Sequence, residues 1–109
     1  MFDSVLDPQE TQDEAYDSIA RPVVQDILNG FNGVLMAYGQ TGSGKTHTIF
    51  GSRPSGELNY QSGIVPRAVH HIFDYVKQNP NQAQFRVTIS FLEIYMEQIT
   101  DLLLPQGAS

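Results

Sequence analysis

The sequence predicts an α/β fold, in which helices flank an incomplete sheet. Strand-like apolar segments alternate along the chain with segments of helical periodicity, as they do in α/β proteins. Gly33–Tyr38 is a continuous apolar run, which suits a strand buried on both faces of a parallel sheet. The glycine-rich segment Gly39–Gly44 follows this run directly and leads into a short helical segment, Lys45–Ile49. The strand-like segments are few, so the sheet should be incomplete.

The first elements are a short strand and a capped helix. Phe2–Leu6 alternates apolar and polar residues and ends at the turn signal Asp7-Pro8. A helix should begin near Thr11, because Thr11 and Glu14 have the spacing of a capping box.

This first helix should carry one buried stripe and one irregular turn. Pro22 lies inside the helical pattern and should kink the helix or loosen a turn, and Asn29-Gly30 should end it. The expected stripe has spacings of three, four and four residues and consists of Tyr16, Ile19, Val23 and Ile27.

The second half of the chain should contain an exposed loop, a long helix and a strand. Gly51–Gly63 is rich in Gly, Ser, Pro and Asn and predicts the loop. A helix should run from Pro66 to Asn79-Pro80, and its expected apolar stripe is Val65, Val69, Ile72, Phe73 and Val76.

The last two elements predicted are a strand and a short helical segment. Alternation over Phe85–Phe91 predicts the strand. Glu97–Leu104 should form one or two helical turns.

Composition limits the kinds of partner. The net charge is −6, from 12 acidic and 6 basic residues, which argues against binding a nucleic acid through charge. The longest apolar run, Val34–Tyr38, is far shorter than the roughly 20 residues of a membrane span, so no membrane association is expected. There is no cysteine, hence no disulfide framework, which fits a cytoplasmic protein.

One motif carries chemistry, and it matches G-x-x-x-x-G-K-[ST] at every required position. Its glycines allow the backbone N–H groups to point at phosphate oxygens, and the following helix presents its positive end to the same anion. Lys45 would reach the β- and γ-phosphates of a nucleotide, and the Thr46 hydroxyl would ligate Mg²⁺. The candidate site is Gly39, Gln40, Thr41, Gly42, Ser43, Gly44, Lys45 and Thr46.

Other polar residues give weaker signals. His47 follows the Mg²⁺ threonine and either faces a nucleotide base or only packs locally. Glu93 ends a largely apolar strand. We expect it to be a structural carboxylate and not a catalytic acid. His70 and His71 are adjacent on a helix and cannot chelate one metal together.

The residues around the motif resemble the nucleotide signature of the kinesin motor domain. Asn32-Gly33 followed by Ala37–Thr48 is similar to that signature almost letter for letter. Gly63–Arg67 and Phe91–Tyr95, with Asp101 after them, resemble further kinesin segments in the same order and spacing. The stretch ending at Leu103 is also somewhat similar to armadillo-repeat kinesins.

The resemblance implies a fold, a cofactor and partners. Residues 2–104 would be part of a kinesin motor domain that binds ATP and Mg²⁺, with His47 near the adenine and Lys45 and Thr46 essential for turnover. Residues 105–109 would be a disordered tail or a truncation end. Switch loops and most of the surface that binds microtubules (tubulin) would lie outside this chain. The longer parent, a cytoplasmic and cytoskeletal protein, could dimerise through a coiled coil.

Two alternatives remain open from the residues. One is another P-loop NTPase, although its acceptor-site arginines would have to come from four that do not cluster, Arg21, Arg53, Arg67 and Arg86. The other is a non-catalytic nucleotide-binding module. No serine–arginine pair or Asp-x-x-Gly sequence follows a strand, so hydrolytic groups are missing from the chain and it should be inactive alone.

Overall fold

The computed structural model describes residues 1–52, 57–81 and 84–105. Two groups of helices are followed by a β-hairpin. In chain order the elements are α1 (Gln12–Ala15), a π-helical turn (Tyr16–Ala20), α2 (Arg21–Leu28), α3 (Lys45–Ile49), α4 (Ile64–Gln78), β1 (Leu92–Tyr95) and β2 (Gln98–Asp101).

The predicted start, irregular turn and end of the first helix are confirmed. The Glu14 N–H donates to the Thr11 hydroxyl at 3.2 Å, and the Thr11 N–H donates to the Glu14 carboxylate at 2.6 Å. Pro22 lies in the first turn of α2, directly after the π-helical turn. Gly30 ends the helix with φ +97°, a conformation that glycine adopts without strain.

The predicted buried stripe of this helix is displaced by one residue. Ala20 and Val24 are buried and Leu28 is half-buried, whereas Ile19 and Ile27 are 39% and 41% exposed. A π-helical turn holds one residue more than an α-helical turn, so every later position is shifted by one. The predicted positions 19, 23 and 27 therefore become 20, 24 and 28.

The predicted strands Phe2–Leu6, Gly33–Tyr38 and Phe85–Phe91 do not form in this structure. No described residue pairs with them as a ladder partner. The side chains of Val34, Met36 and Tyr38 are 80%, 86% and 101% exposed, so the expected burial on both faces is also wrong here. A strand exists only where a neighbouring strand accepts its backbone hydrogen bonds, and local sequence does not supply one.

The described sheet is instead an antiparallel hairpin. Leu92 faces Asp101 and Tyr95 faces Gln98 across the β1–β2 ladder. Both turn residues, Met96 and Glu97, have positive φ, as a two-residue hairpin loop requires. The helical turns predicted for Glu97–Leu104 are therefore wrong, because pairing with β1 satisfies the backbone of β2.

Helix α4 packs on the first helix and forms the core with it. It begins two residues before the predicted Pro66 and ends where predicted, at Asn79. The core consists of Tyr16, Ala20 and Ile64, with Leu35, Ile49 and Ala68 partly buried against it. Much apolar surface stays outside this core, because the chain exposes 9595 Å² and a compact protein of its mass exposes about 6000 Å².

The base of the predicted loop Gly51–Gly63 is closed, although the loop was expected to be exposed. Gly51 and Ser62 form an isolated antiparallel bridge, and the Gly63 N–H donates to the Phe50 carbonyl at 3.2 Å. Ser62 and Gly63 are buried. Residues 53–56 of the loop, like residues 106–109 of the predicted tail, lie outside the described residues.

No helix in the described ranges combines the length and the apolar character needed to cross a membrane.

Candidate phosphate-binding site

The glycine-rich loop leads directly into α3, as the motif predicts. Gly42 and Gly44 have φ +82° and +102°, which side-chain-bearing residues rarely adopt. Gly44 is the N-cap of α3, so the helix begins at Lys45. The two left-handed glycines reverse the backbone and set the lysine on the first helical position.

The loop also folds back on its own start. The Lys45 ammonium group donates to the Gly39 carbonyl, and the Ser43 N–H donates to the Gln40 carbonyl at 3.1 Å. A Cβ on Gly39 would lie 2.5 Å from the Ser43 Oγ, so a larger residue would push Ser43 aside. Gly39 therefore permits the close approach that gives the loop its curl.

A cavity of about 350 Å³ lies over this loop. Of the eight motif residues and His47, six line the cavity, and the other three, Gly39, Gln40 and Ser43, hold the loop closed. Lys45 is the one Lys or Arg side chain of the lining. The lining residues are Thr41, Gly42, Gly44, Lys45, Thr46 and His47.

His47 is fixed at the rim of the cavity by contacts on both ring nitrogens. Its Nδ1 lies 2.8 Å from the Ser52 Oγ, and its Nε2 lies 3.1 Å from the Gln12 Nε2. Its backbone carbonyl also accepts a 2.7 Å hydrogen bond from the Gln12 amide. His47 therefore lines the cavity and also has local partners, and its contact with a nucleotide base stays a prediction.

The remaining titratable candidates take no part in the cavity. Glu93 is exposed on β1 and does not line it. The Nδ1 of His71 lies 2.7 Å from the Tyr16 hydroxyl, and the two rings meet edge to face. In the described ranges no three His, Asp or Glu side chains gather as a metal-ligand set.

Tyr16 has a perturbed pKa. Burial raises the pKa of its phenol above the ordinary value of 10.0, and this is the largest effect. The positive charges of Arg21 and Arg67 lower the pKa, and the negative charge of Asp17 raises it. The Arg21 guanidinium lies over the ring, 5.3 Å from its centroid.

Two long-range contacts tie the first helix to later parts of the chain, one at the rim of the cavity and one at the base of the loop that follows α3. Gln12 contacts His47, 35 positions away. Arg67 donates to the carboxylate of Asp13 and to the carbonyls of Ser62 and Asn59. Neither pair has a periodic spacing, so only the tertiary structure reveals them.

Comparison with known proteins finds that the chain is similar to kinesin motor domains. The family model described as "Kinesin motor domain" matches residues 1–109. The chain is 44% identical over 103 residues to kinesin heavy chain isoform 5C of Homo sapiens. The aligned part is 94% of this chain and 10% of that protein. It is 45% identical over 114 residues to the kinesin-like protein KIN-5C of Arabidopsis thaliana, covering 99% of the chain and 11% of that protein.

Solved structures give the same result. The Drosophila kinesin family member NOD in complex with AMPPNP matches with a TM-score of 0.81 and 36% identity, over 94% of this chain and 35% of that one. A second match is Drosophila NOD, docked with bovine tubulin into a map of nucleotide-free NOD complexed to the microtubule. Its TM-score is 0.82 and its identity is 39%, over 94% of this chain and 36% of that chain. This likeness confirms the predicted α/β class and the incomplete sheet with flanking helices. The chain spans about a tenth of the curated relatives and about a third of the solved chains.

Proposed function

The chain belongs to the kinesin family as part of a motor domain, and from this premise we propose that it supplies the ATP–Mg²⁺ site of a microtubule-based motor ATPase. One observation carries the proposal. The glycine loop presents Lys45 and Thr46 to a cavity at the start of α3, with both left-handed glycines in place. We assign residues 2–104 to the motor domain.

Each residue of the loop has a role that follows from its position. The Ser43 N–H already donates to the Gln40 carbonyl within the loop. The neighbouring N–H groups around Gly42 and Gly44 would donate to phosphate oxygens. The Lys45 ammonium group would leave the Gly39 carbonyl and neutralise the β- and γ-phosphates. The backbone would hold the phosphates, and the lysine would supply the charge.

The donor set fits Mg²⁺ bound together with a nucleotide. Magnesium usually keeps several waters and takes one or two protein oxygens plus phosphate oxygens. Thr46 lines the cavity, and its hydroxyl would serve as the single protein ligand from this loop. The ion would offset phosphate charge. At the rim, His47 would lie against the adenine.

Hydrolysis needs groups beyond this loop. Phosphoryl transfer requires a residue that positions the attacking water and a cation for the developing charge. Glu93, the candidate acid outside the loop, lies on the hairpin and does not line the cavity. Residues 1–109 alone should therefore bind nucleotide without turnover.

The microtubule partner is proposed from the relatives. One matched structure is of NOD complexed to the microtubule. The net charge of −6 makes this chain itself a poor match for an acidic track, so a basic surface elsewhere in the protein would bind it. We accordingly propose a cytoplasmic protein on the microtubule cytoskeleton, which binds no nucleic acid and which a coiled coil could dimerise.

Two measurements test the function. Mg-ATP titration of the full-length protein should show saturable binding, and microtubule co-sedimentation should change between ATP and AMPPNP. ATP binding without microtubule binding would favour another P-loop NTPase. Microtubule binding without any response to nucleotide would favour a non-catalytic module.

A further inference from the structure

We propose that Gln12 is a positioning residue that fixes the His47 imidazole at the rim of the phosphate cavity for contact with the nucleotide base. The inference rests on the proposed nucleotide function and concerns a residue outside the phosphate loop. The Gln12 amide group contacts two separate segments of the chain, at His47 and at Gln61.

The orientation of the Gln12 amide follows from its neighbours. Its nitrogen lies 2.7 Å from the His47 carbonyl oxygen and 3.4 Å from the Gln61 carbonyl oxygen. If the amide were turned over, its own oxygen would face both carbonyl oxygens, and these contacts would become repulsive. The NH₂ group therefore points at His47 and Gln61.

This orientation decides which nitrogen of His47 carries the proton. The Gln12 NH₂ group has two hydrogens, and its two shorter contacts, the His47 carbonyl oxygen at 2.7 Å and the His47 Nε2 at 3.1 Å, take them. Nε2 must then be the acceptor, and the ring proton sits on Nδ1, from which it donates to the Ser52 Oγ at 2.8 Å. Both edges of the imidazole are held, so its plane and its tautomer are set before a ligand arrives.

Gln12 is itself well placed to hold the ring. It is the first residue of α1, immediately after the cap Thr11, whose three hydrogen bonds with Glu14 fix the local backbone. The Gln12 side chain is half-buried. The capping box thus anchors the residue that orients His47.

Substitution of Gln12 should weaken the binding of the nucleotide base and leave the binding of the phosphates unchanged. His47 lines the cavity, and the hydrogen bonds of the Gln12 side chain within the described part of the chain go to His47 and Gln61. Ordering a free side chain on binding lowers affinity by roughly three- to tenfold. Loss of Gln12 should therefore weaken binding of a nucleotide that reaches His47 and spare a ligand made of phosphates only.

The test compares Mg-ATP with Mg-tripolyphosphate, using isothermal titration of the full-length protein. The variants are Gln12→Ala, Gln12→Glu, His47→Ala, the Gln12→Ala/His47→Ala pair, and the control Gln25→Ala, which changes an exposed glutamine on α2. Gln12→Glu keeps the size of the side chain and suits a helix N-terminus, so it remains informative if Gln12→Ala unfolds.

Both Gln12 variants should bind Mg-ATP roughly three- to tenfold more weakly and Mg-tripolyphosphate within about twofold of wild type. Gln12→Ala should add nothing in the His47→Ala background, since Gln12 acts through His47. Equal weakening of both ligands, unchanged ATP binding, or full additivity would each overturn the inference. If wild type binds neither ligand, the proposed nucleotide site itself is wrong.

Discussion

Arg67 of α4 and Asp13 of α1 form an ion pair across 54 residues of chain, with 2.6 Å between the Nη1 and Oδ1 atoms. The two partners differ in burial, because 12% of the Arg67 side chain is exposed against 73% for Asp13. The same guanidinium donates to the carbonyls of Ser62 and Asn59, at 2.9 and 3.1 Å. Arg67 therefore ties the loop base to both helices.

Arg67→Ala should lower the free energy of unfolding by about 2–3 kcal/mol, because it leaves half-buried carbonyl groups without this donor. Asp13→Ala should cost at most about 1 kcal/mol, since an exposed partner contributes little. Urea unfolding of the two variants, with the exposed Arg86→Ala as control, decides this. Equal losses for Arg67→Ala and Asp13→Ala would show that the ion pair, not the carbonyl bonds, dominates.

Lys45→Ala should weaken Mg-ATP binding by about 1.5–3 kcal/mol, or roughly ten- to 150-fold, through the loss of charge-assisted phosphate bonds. Thr46→Ala should instead raise the Mg²⁺ concentration needed for binding, because it removes a metal ligand. Titrations at several Mg²⁺ concentrations separate the two effects, and Lys77→Ala, on an exposed part of α4, serves as the charge control. Wild-type affinity and Mg²⁺ dependence in both variants would refute the site.

Gly63→Ala should destabilise the protein more than Gly30→Ala. A Cβ on Gly63 would lie 2.7 Å from the Gly51 nitrogen and from the Ile49 carbonyl, and both are backbone groups that cannot easily move. The expected loss is about 3 kcal/mol. Gly30 has φ +97° and open space around it, so alanine there should cost only about 1 kcal/mol of left-handed strain. Thermal unfolding of both variants checks the order, and a smaller loss at Gly63 would mean that the loop base can open.

Stability should fall at alkaline pH through Tyr16. Burial raises the pKa of the Tyr16 phenol in the folded state, so the folded protein holds this proton more tightly than the unfolded chain. The stabilisation is complete below the ordinary tyrosine value of about 10 and is lost as the pH rises through the folded-state pKa. Phenylalanine at this position should abolish that loss.

The measurement is urea unfolding from about pH 8 to about pH 11 for wild type, Tyr16→Phe and the exposed control Tyr95→Phe. At about pH 8, below the ordinary tyrosine pKa, Tyr16→Phe should cost about 1 kcal/mol, from the lost bond to His71. Above about pH 10 the difference from wild type should narrow. An alkaline loss that is the same in Tyr16→Phe and wild type would assign it to other groups.

The features predicted well from the sequence are those decided within a few residues. The phosphate loop needs two glycines with positive φ and a lysine at the helix start, all within eight positions. The capping box of Thr11 and Glu14 is equally local. For such features, residue type and spacing determine the backbone geometry.

The features that the sequence missed depend on distant partners or on a change of helical period. The strand expected at Gly33–Tyr38 has no described neighbour, and β2 formed where helical turns were expected. The π-helical turn moved the buried stripe from Ile19 to Ala20 because one added residue shifts all later positions. Gln12 was overlooked since its partner lies 35 positions away.

The β1–β2 hairpin has a consequence for how the protein opens. Its strands pair with each other, and the Phe91 ring, just before β1, reaches the helical part through Phe50 at 6.0 Å between centroids. A two-stranded hairpin with so little support is only marginally stable by itself. Its amide hydrogens should therefore exchange with solvent through a local opening that leaves the Tyr16–Ile64 core intact. The chain would then hold two foldons with separate protection, and a substitution that loosens the helices would speed exchange in α4 without altering it in the hairpin.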